Sequence, residues 1–172
     1  MACLLSAGIT KECGFAFGGL KKVYIGNFSE ISGTTYQADG TVSGMTMTSG
    51  KTFFEFEYEV DTAQKLEELV AGAVSRYVNQ TLNFKLANMT QAKSKVLEEL
   101  AVATLSAIVQ TSDGKFWLFG DINKSAGLKA TVLTVDSGTA KGDDNSITVT
   151  LVGASLGYAD EVLSTVVDSV IA

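Results

Sequence analysis

Two neighbouring carboxylates stand in the stretch TAKGDDNSITVTLVG, residues 139–153, and they are the first candidates for chemistry in this chain. Asp143 and Asp144 could bind a metal ion or act as acid and base. In an extended segment, however, adjacent side chains point to opposite sides, and a calcium loop needs oxygen ligands spread over about a dozen residues. Asp and Asn following a glycine are typical of turns, because their side chains bond to their own backbone. The sequence therefore predicts a turn between two strands at this point.

Three further carboxylates, Glu55, Glu57 and Glu59, alternate with apolar residues in TFFEFEYEV, residues 52–60. A two-residue period places all three on one face of a strand, about 7 Å apart. No base, metal ligand or phosphate-binding loop accompanies them. We expect a solvated strand face. The opposite face would bury Phe54, Phe56, Tyr58 and Val60.

Histidine is absent from the chain, and there are two cysteines, Cys3 and Cys13. Without histidine, every Ser-His and Cys-His nucleophile pair is excluded. Two cysteines cannot complete a zinc site alone, and the glycine clusters match neither a phosphate-binding loop nor a dinucleotide fingerprint. We expect no catalytic activity, no cofactor and no metal, and two reduced thiols in a cytoplasm.

The composition predicts one domain over residues 1–172, with an apolar fraction of 46% and a net charge of −6. The 13 basic residues are spread thinly, which disfavours tight binding to nucleic acid. Apolar runs are too short to span a bilayer, so we expect no membrane insertion. The high apolar fraction hints at a surface that is buried in an assembly.

The periodicity predicts a mainly β chain with one packed helix. The predicted strands are Lys21–Phe28, Thr52–Val60, Ala73–Leu86, Lys129–Val135 and Ser146–Gly153, with a hairpin turning at Asp113 and Gly114. The helix is predicted over Thr90–Leu105, with Thr90 as its N-cap.

Three segments stay open between alternatives. Residues 32–51 contain short Thr-rich runs and glycine turns, which fit a meander or a flexible excursion. Residues 61–72 fit a short helix or a long loop at the tip of a hairpin. Residues 158–172 fit a short helix or a final strand.

Three stretches in order along the chain resemble the tail tube proteins of tailed bacteriophages, especially those of phages that infect Bacteroidetes-like hosts. The first is CGFAFGGLKKVYIG, similar to a Cys…Gly-Gly-aliphatic-Lys-x-Val-Tyr start. The second is DGKFWLFG, followed shortly by SAGLKATVLTVDSGTA. The third is KGDDNSITVTLVG, in which Ser146 stands where the family usually has glycine and the usual aromatic residue is absent.

The resemblance implies a β-sandwich or barrel with one flanking α-helix, a tail-tube-like fold. It implies homo-hexameric rings that stack into a tube, contacts with other tail proteins, and DNA in transit without specific binding. The location would be the virion tail, assembled in the bacterial host cytoplasm. If the 52–60 strand joins the inner barrel, then Glu55, Glu57 and Glu59 face the lumen and repel DNA. The segment between the two long strands would contact the next ring, through Lys65, Leu66, Glu67, Glu68 and Leu69.

Two other functions are compatible with the same residues. The inner tube of a contractile injection or secretion system has the same architecture. A small-molecule-binding β-barrel is a rival of another class, and it would require a monomer with an inward apolar pocket.

Overall fold

Two β-sheets and two α-helices make up the part of the chain that the computed structural model describes, residues 7–9 and 17–171. The strands are β1 Leu20–Asn27, β2 Ile31–Tyr36, β3 Val42–Met47, β4 Phe54–Glu55, β5 Gln64–Ala71, β6 Arg76–Ala87, β7 Leu105–Thr111, β8 Phe116–Phe119, β9 Lys129–Asp136, β10 Ser146–Ser155 and β11 Asp160–Val162. The helices are α1 Gln91–Val102 and α2 Ser164–Val170.

The larger sheet has the strand order β2-β3-β11-β8-β7-β1-β4, and the smaller sheet has the order β5-β6-β10-β9. Neighbouring strands are antiparallel except for β11 and β3. The predicted mainly β fold with a flanking helix is confirmed. The sheets stay open, so the single chain does not close a barrel.

The main core lies between the two sheets. Alternate residues of β6 and β10 point inward, as their period of two predicts. The smaller sheet contributes buried Leu82, Phe84, Leu86, Ile147, Val149 and Leu151, and the larger sheet contributes Val23, Ile25, Ala107, Val109 and Phe119. Side chains therefore fill the space between the sheets.

Helix α1 packs along β9 and completes the main core. Its N-cap is Thr90, whose hydroxyl accepts a hydrogen bond from the Lys93 backbone N–H at 3.3 Å. Leu97 and Leu100 are buried, whereas Val96 stays 41% exposed. The predicted helix and its cap are confirmed.

Helix α2 covers the other face of the larger sheet. Val166, Val167 and Val170 pack there in a second core with Tyr24 and Ile108, among others. The C-terminal segment therefore contains both alternatives, a strand followed by a short helix. Residues 32–51 form the β2–β3 hairpin, in agreement with the predicted meander.

The predicted long strand over Thr52–Val60 is wrong. Regular pairing covers Phe54–Glu55 alone, and Phe54 is 56% exposed. The segment then leaves the larger sheet, where the Phe56 N–H donates to the Val23 carbonyl, and reaches the smaller one, where the Glu59 N–H donates to the Lys85 carbonyl. A segment that crosses between sheets cannot continue the ladder of either, although Phe56 still packs against the core.

The predicted helix or loop over residues 61–72 is also wrong, because most of it is strand β5. Asp61 has a positive φ of 60° and turns the chain. β5 then pairs with β6 from Gln64, opposite Asn83, to Ala71, opposite Arg76. The conformation of this segment is determined by its pairing with the long strand β6 and not by its own helix propensity.

Candidate assembly surface

The aspartates of the 139–153 stretch lie in the loop between β9 and β10, as predicted. The Asp143 carboxylate accepts hydrogen bonds from the Ala140 N–H at 2.7 Å, the Thr139 N–H at 2.8 Å and the Thr139 hydroxyl at 2.9 Å. These bonds, with that of Ala140 first, hold the pKa of the Asp143 carboxyl below its usual value. Asp143 therefore stabilises the turn between the two strands, which is a structural role.

The three glutamates of residues 52–60 lie at the edge of the larger sheet and on the crossing segment. Glu55 pairs with Lys22 at 3.1 Å, and Glu57 and Glu59 are exposed. Their placement in the lumen depended on a long strand in the inner barrel. That premise is wrong, because this segment belongs to neither ladder beyond Glu55.

Within the described ranges, no group of three or more His, Cys, Asp or Glu side chains is placed to hold a metal ion. Of the two helices in those ranges, neither is long and apolar enough to cross a bilayer. Cys3 and Cys13 lie outside the described residues.

One carboxylate is deeply buried, and it joins separate parts of the larger sheet. Asp121 follows β8 and accepts hydrogen bonds from the hydroxyls of Thr34, at 2.9 Å, and Tyr36 on β2, and from the Asn123 N–H at 3.1 Å. Burial is the main cause that raises the pKa of the Tyr36 hydroxyl, and the hydrogen bond to Asp121 is the second. Because every partner is a neutral donor fixed in the fold, this cluster anchors β2.

β5 does not present its side chains as predicted. Two of the five residues expected to contact the next ring, Lys65 and Glu67, lie on the inner face of the strand, opposite Leu82 and Gln80. The Lys65 ammonium lies over the Trp117 ring, 4.6 Å from its centroid, and pairs with Glu67 at 3.2 Å. These two side chains hold β5 onto the larger sheet, so they are engaged within the subunit and we do not assign them to a contact with another ring.

Glu67 also joins distant parts of the chain. Its carboxylate accepts a hydrogen bond from the Ala159 N–H at 2.6 Å and a longer one from the Gln80 amide at 3.4 Å. Sequence reasoning missed this role, because a Lys and a Glu in a strand usually mark the solvent side. The pairing with β6 shows the inverse arrangement, with Leu66 outside and Glu67 inside.

Neither edge of the smaller sheet pairs with a further strand in the described part of the chain, since β5 pairs with β6 alone and β9 with β10 alone, although α1 packs along β9. Apolar side chains stand on both faces of these edges. On β5, Leu66 and Val70 are exposed on the outer face and Leu69 on the inner one. On β9, Val132 is exposed on the outer face and Val135 on the inner one. Isolated sheets usually guard their edges with charges, so these edges are unusual for a lone monomer.

The outer face of the smaller sheet is polar and rich in Asn and Thr. Its two central strands carry Asn79, Thr81, Asn83, Thr148 and Thr150. The charged residues on this face are Glu68, Lys85, Lys129 and Asp136, two of each sign. The face is therefore hydrophilic without a strong net charge.

The hairpin of β5 and β6 extends past the core as an arm, residues 68–77, in which every residue is exposed. Its turn is closed by the Gly72 N–H, which donates to the Ser75 carbonyl at 2.7 Å. Val74 at the tip is fully exposed, and Leu69 is 56% exposed. Three of the residues predicted to contact a neighbour, Leu66, Glu68 and Leu69, lie on this arm or just before it.

Comparison with protein-family models, with curated proteins and with solved structures finds no match for this chain.

Proposed function

We propose that this chain is the structural subunit of a phage tail tube, which forms hexameric rings that stack into a channel for DNA. The observation that carries the proposal is the pair of free, apolar edges on the smaller sheet, β5 and β9. The sequence resemblance supplies the identity of the assembly, and the edges supply a physical way to build it.

The strand order favours a closed ring. Four antiparallel strands alternate in direction, so the outermost strands β5 and β9 run in opposite directions. When copies are related by rotation about one axis, β9 of one copy meets β5 of the next in an antiparallel pair. Such pairing satisfies the edge N–H and C=O groups and buries apolar residues on both faces of the junction. Repetition around the ring closes one continuous barrel.

In this ring the channel is lined by the outer face of the smaller sheet, since the inner face is covered by the larger sheet. The lining is then the Asn- and Thr-rich face, and we assign the lumen to Asn79, Asn83 and Thr150 instead of the three glutamates. A hydrophilic wall with balanced charge gives phosphates little to bind, which suits DNA that passes through. Catalysis has no part in this function.

A small-molecule-binding barrel is less well supported. That function needs an apolar cavity inside the molecule, whereas the space between the sheets is filled by Leu82, Phe84 and Phe119.

The test is the assembly state of the purified chain, measured by analytical ultracentrifugation and negative-stain microscopy. We expect rings or tubes with a central channel. The edge variant Leu66→Lys/Val135→Lys should remain monomeric, because it places like charges on both sides of each junction. Ser43→Lys, exposed on β3 of the larger sheet, is the matched control and should assemble normally. A wild-type chain that stays monomeric at all concentrations, also with tail-initiator proteins present, would refute the proposal.

A further inference from the structure

An apolar groove runs between helix α1 and the segment that follows β4. It has a volume of about 590 Å³. Its walls include Phe54, Phe56, Leu86, Val96 and Leu97. A smaller hollow of about 100 Å³ shares Phe54, Phe56 and Val96 and extends the groove along α1 toward Leu105. Phe54 and Val96 are large apolar side chains left half exposed here, whereas Phe53, Phe84 and Phe119 are fully buried.

The groove carries unpaired negative charge. Glu57 and Glu99 line it, and neither has a basic partner within 4.0 Å among the described residues. Glu55 is already paired with Lys22. Lys93, the basic residue of the groove, donates to the backbone carbonyls of Ala87 and Asn88. Lys93 keeps its positive charge, but the two unpaired acids outnumber it, so the groove is negative overall.

The arm, residues 68–77, has the complementary properties. Its exposed apolar side chains are Leu69, Val70, Val74 and Tyr77. It also carries Arg76, the single arginine of the chain. Arg76 forms no salt bridge with any described residue. Glu68 lies at the base of the arm, whereas Arg76 lies next to its turn, opposite Ala71, so an apolar tip with one cation matches an apolar groove with two unpaired acids.

The arm and the groove of one copy lie too far apart to meet. Leu86 lines the groove and is ten positions from Arg76 on the same strand, which corresponds to about 33 Å. A rigid paired hairpin cannot fold back over that length. The two surfaces therefore belong to contacts between different copies.

From these observations we infer that the arm of one copy docks into the α1 groove of a second copy, with Val74 and Tyr77 in the groove and Arg76 beside Glu57 and Glu99. This inference rests on the proposed function and identifies its ring-to-ring contact. Because the two surfaces differ and lie at opposite ends of β6, the contact is head-to-tail. It leaves a free arm at one end and a free groove at the other, so the assembly grows in a line.

Site-specific photocrosslinking tests the docking directly. A benzophenone side chain at position 74, in the full chain under conditions where wild type assembles, should crosslink to peptides containing residues 54–57 or 92–99. The same probe at the exposed Ser43, on β3 and far from β4 in the order of the larger sheet, is the control and should not label them. Crosslinks from position 74 to any other surface, in assemblies that form normally, would overturn the docking and leave the proposed function standing.

Charge reversal gives a second and independent readout. Arg76→Glu should raise the concentration needed for assembly about tenfold or more, since like charges would face each other at the contact. Adding Glu57→Lys and Glu99→Lys should restore assembly. Glu98→Lys, on the exposed side of α1, is the matched control and should not restore it.

Circular dichroism of Arg76→Glu should match wild type, because the arm lies outside both cores. Failure of the Glu57→Lys/Glu99→Lys pair to rescue, or equal rescue by Glu98→Lys, would contradict the contact. Absence of any wild-type assembly would instead refute the proposed function.

Discussion

The Glu67 carboxylate accepts a hydrogen bond of 2.6 Å from the backbone N–H of Ala159, a residue 92 positions further along the chain. This bond connects β5, an edge strand, with the segment that leads into β11. Ala159 is buried and the Glu67 side chain is 11% exposed, so water has little access to this bond. Glu67 thus links the smaller sheet to a segment of the larger one.

Replacing Glu67 by alanine should destabilise the protein by about 1–3 kcal/mol, because the buried Ala159 N–H loses its acceptor. Urea denaturation of the dissociated protein would measure the change in the free energy of unfolding. Glu68→Ala is the matched control, since this neighbour is exposed on the outer face, and it should change stability by less than about 0.5 kcal/mol. Equal effects of the two variants would show that the bond contributes nothing specific.

Removal of the Phe84 ring should cost about 3–5 kcal/mol. Phe84 is 1% exposed and meets the Phe56 ring edge-on, with the centroids 6.0 Å apart. Phe84→Ala therefore opens a cavity where the crossing segment packs on the smaller sheet. Phe54→Ala, which truncates a largely exposed ring, should have a small effect in the same thermal and urea unfolding of the monomer. A loss below about 1 kcal/mol for Phe84→Ala would argue against this core.

Gly153 allows close backbone contact between β10 and the loop before β9. A Cβ at this position would lie 2.5 Å from the Gly127 carbonyl oxygen, which is a backbone atom and cannot rotate away. Gly153→Ala should therefore destabilise the fold by about 1–3 kcal/mol, as overpacking does. Gly142→Ala is the control, because its Cβ would meet no atom within 4 Å. Differential scanning calorimetry should show a lower Tm for Gly153→Ala alone.

The Asp143 carboxyl should titrate below the ordinary value of 3.8 in the folded protein. Its folded-state pKa is depressed by the Ala140 and Thr139 donors, so its contribution to stability is present above pH 3.8 and is lost as the pH falls through the folded pKa. NMR titration of the side-chain carboxyl carbon would measure this pKa. Thr139→Ala removes one donor and should bring the pKa closer to its ordinary value, and the same titration in denaturant gives the reference. An unchanged pKa in both states would contradict the loop geometry.

The elements that the sequence predicts well are those whose own pattern is strong. β6 and β10 alternate cleanly, and α1 has both a helical stripe and a cap at Thr90, so local signals were enough. The turn at Asp143 follows from side-chain chemistry within five residues. These features depend on neighbours along the chain, which a sequence displays directly.

The segments that the sequence predicts wrongly are decided by distant partners. Residues 64–71 have helix-forming composition, yet they pair with β6 and seat Glu67 on Ala159. TFFEFEYEV has a strand pattern, yet Phe53 is held by a parallel bridge to Ile171, far along the chain, and the residues after Glu55 cross between sheets. Part of the candidate surface was missed for the same reason. The arm and the β5 edge depend on residues 64–71 being a strand, which the sequence did not predict.

The position of β11 in the middle of the larger sheet affects how the molecule folds. This strand, residues 160–162, lies between β8 and β3, so the β2–β3 hairpin joins the rest of the sheet through a segment made late in synthesis. During translation, the β2–β3 hairpin therefore keeps an unpaired edge until residues 160–162 have left the ribosome. Such long-range pairing makes folding slow and leaves nascent chains prone to premature association.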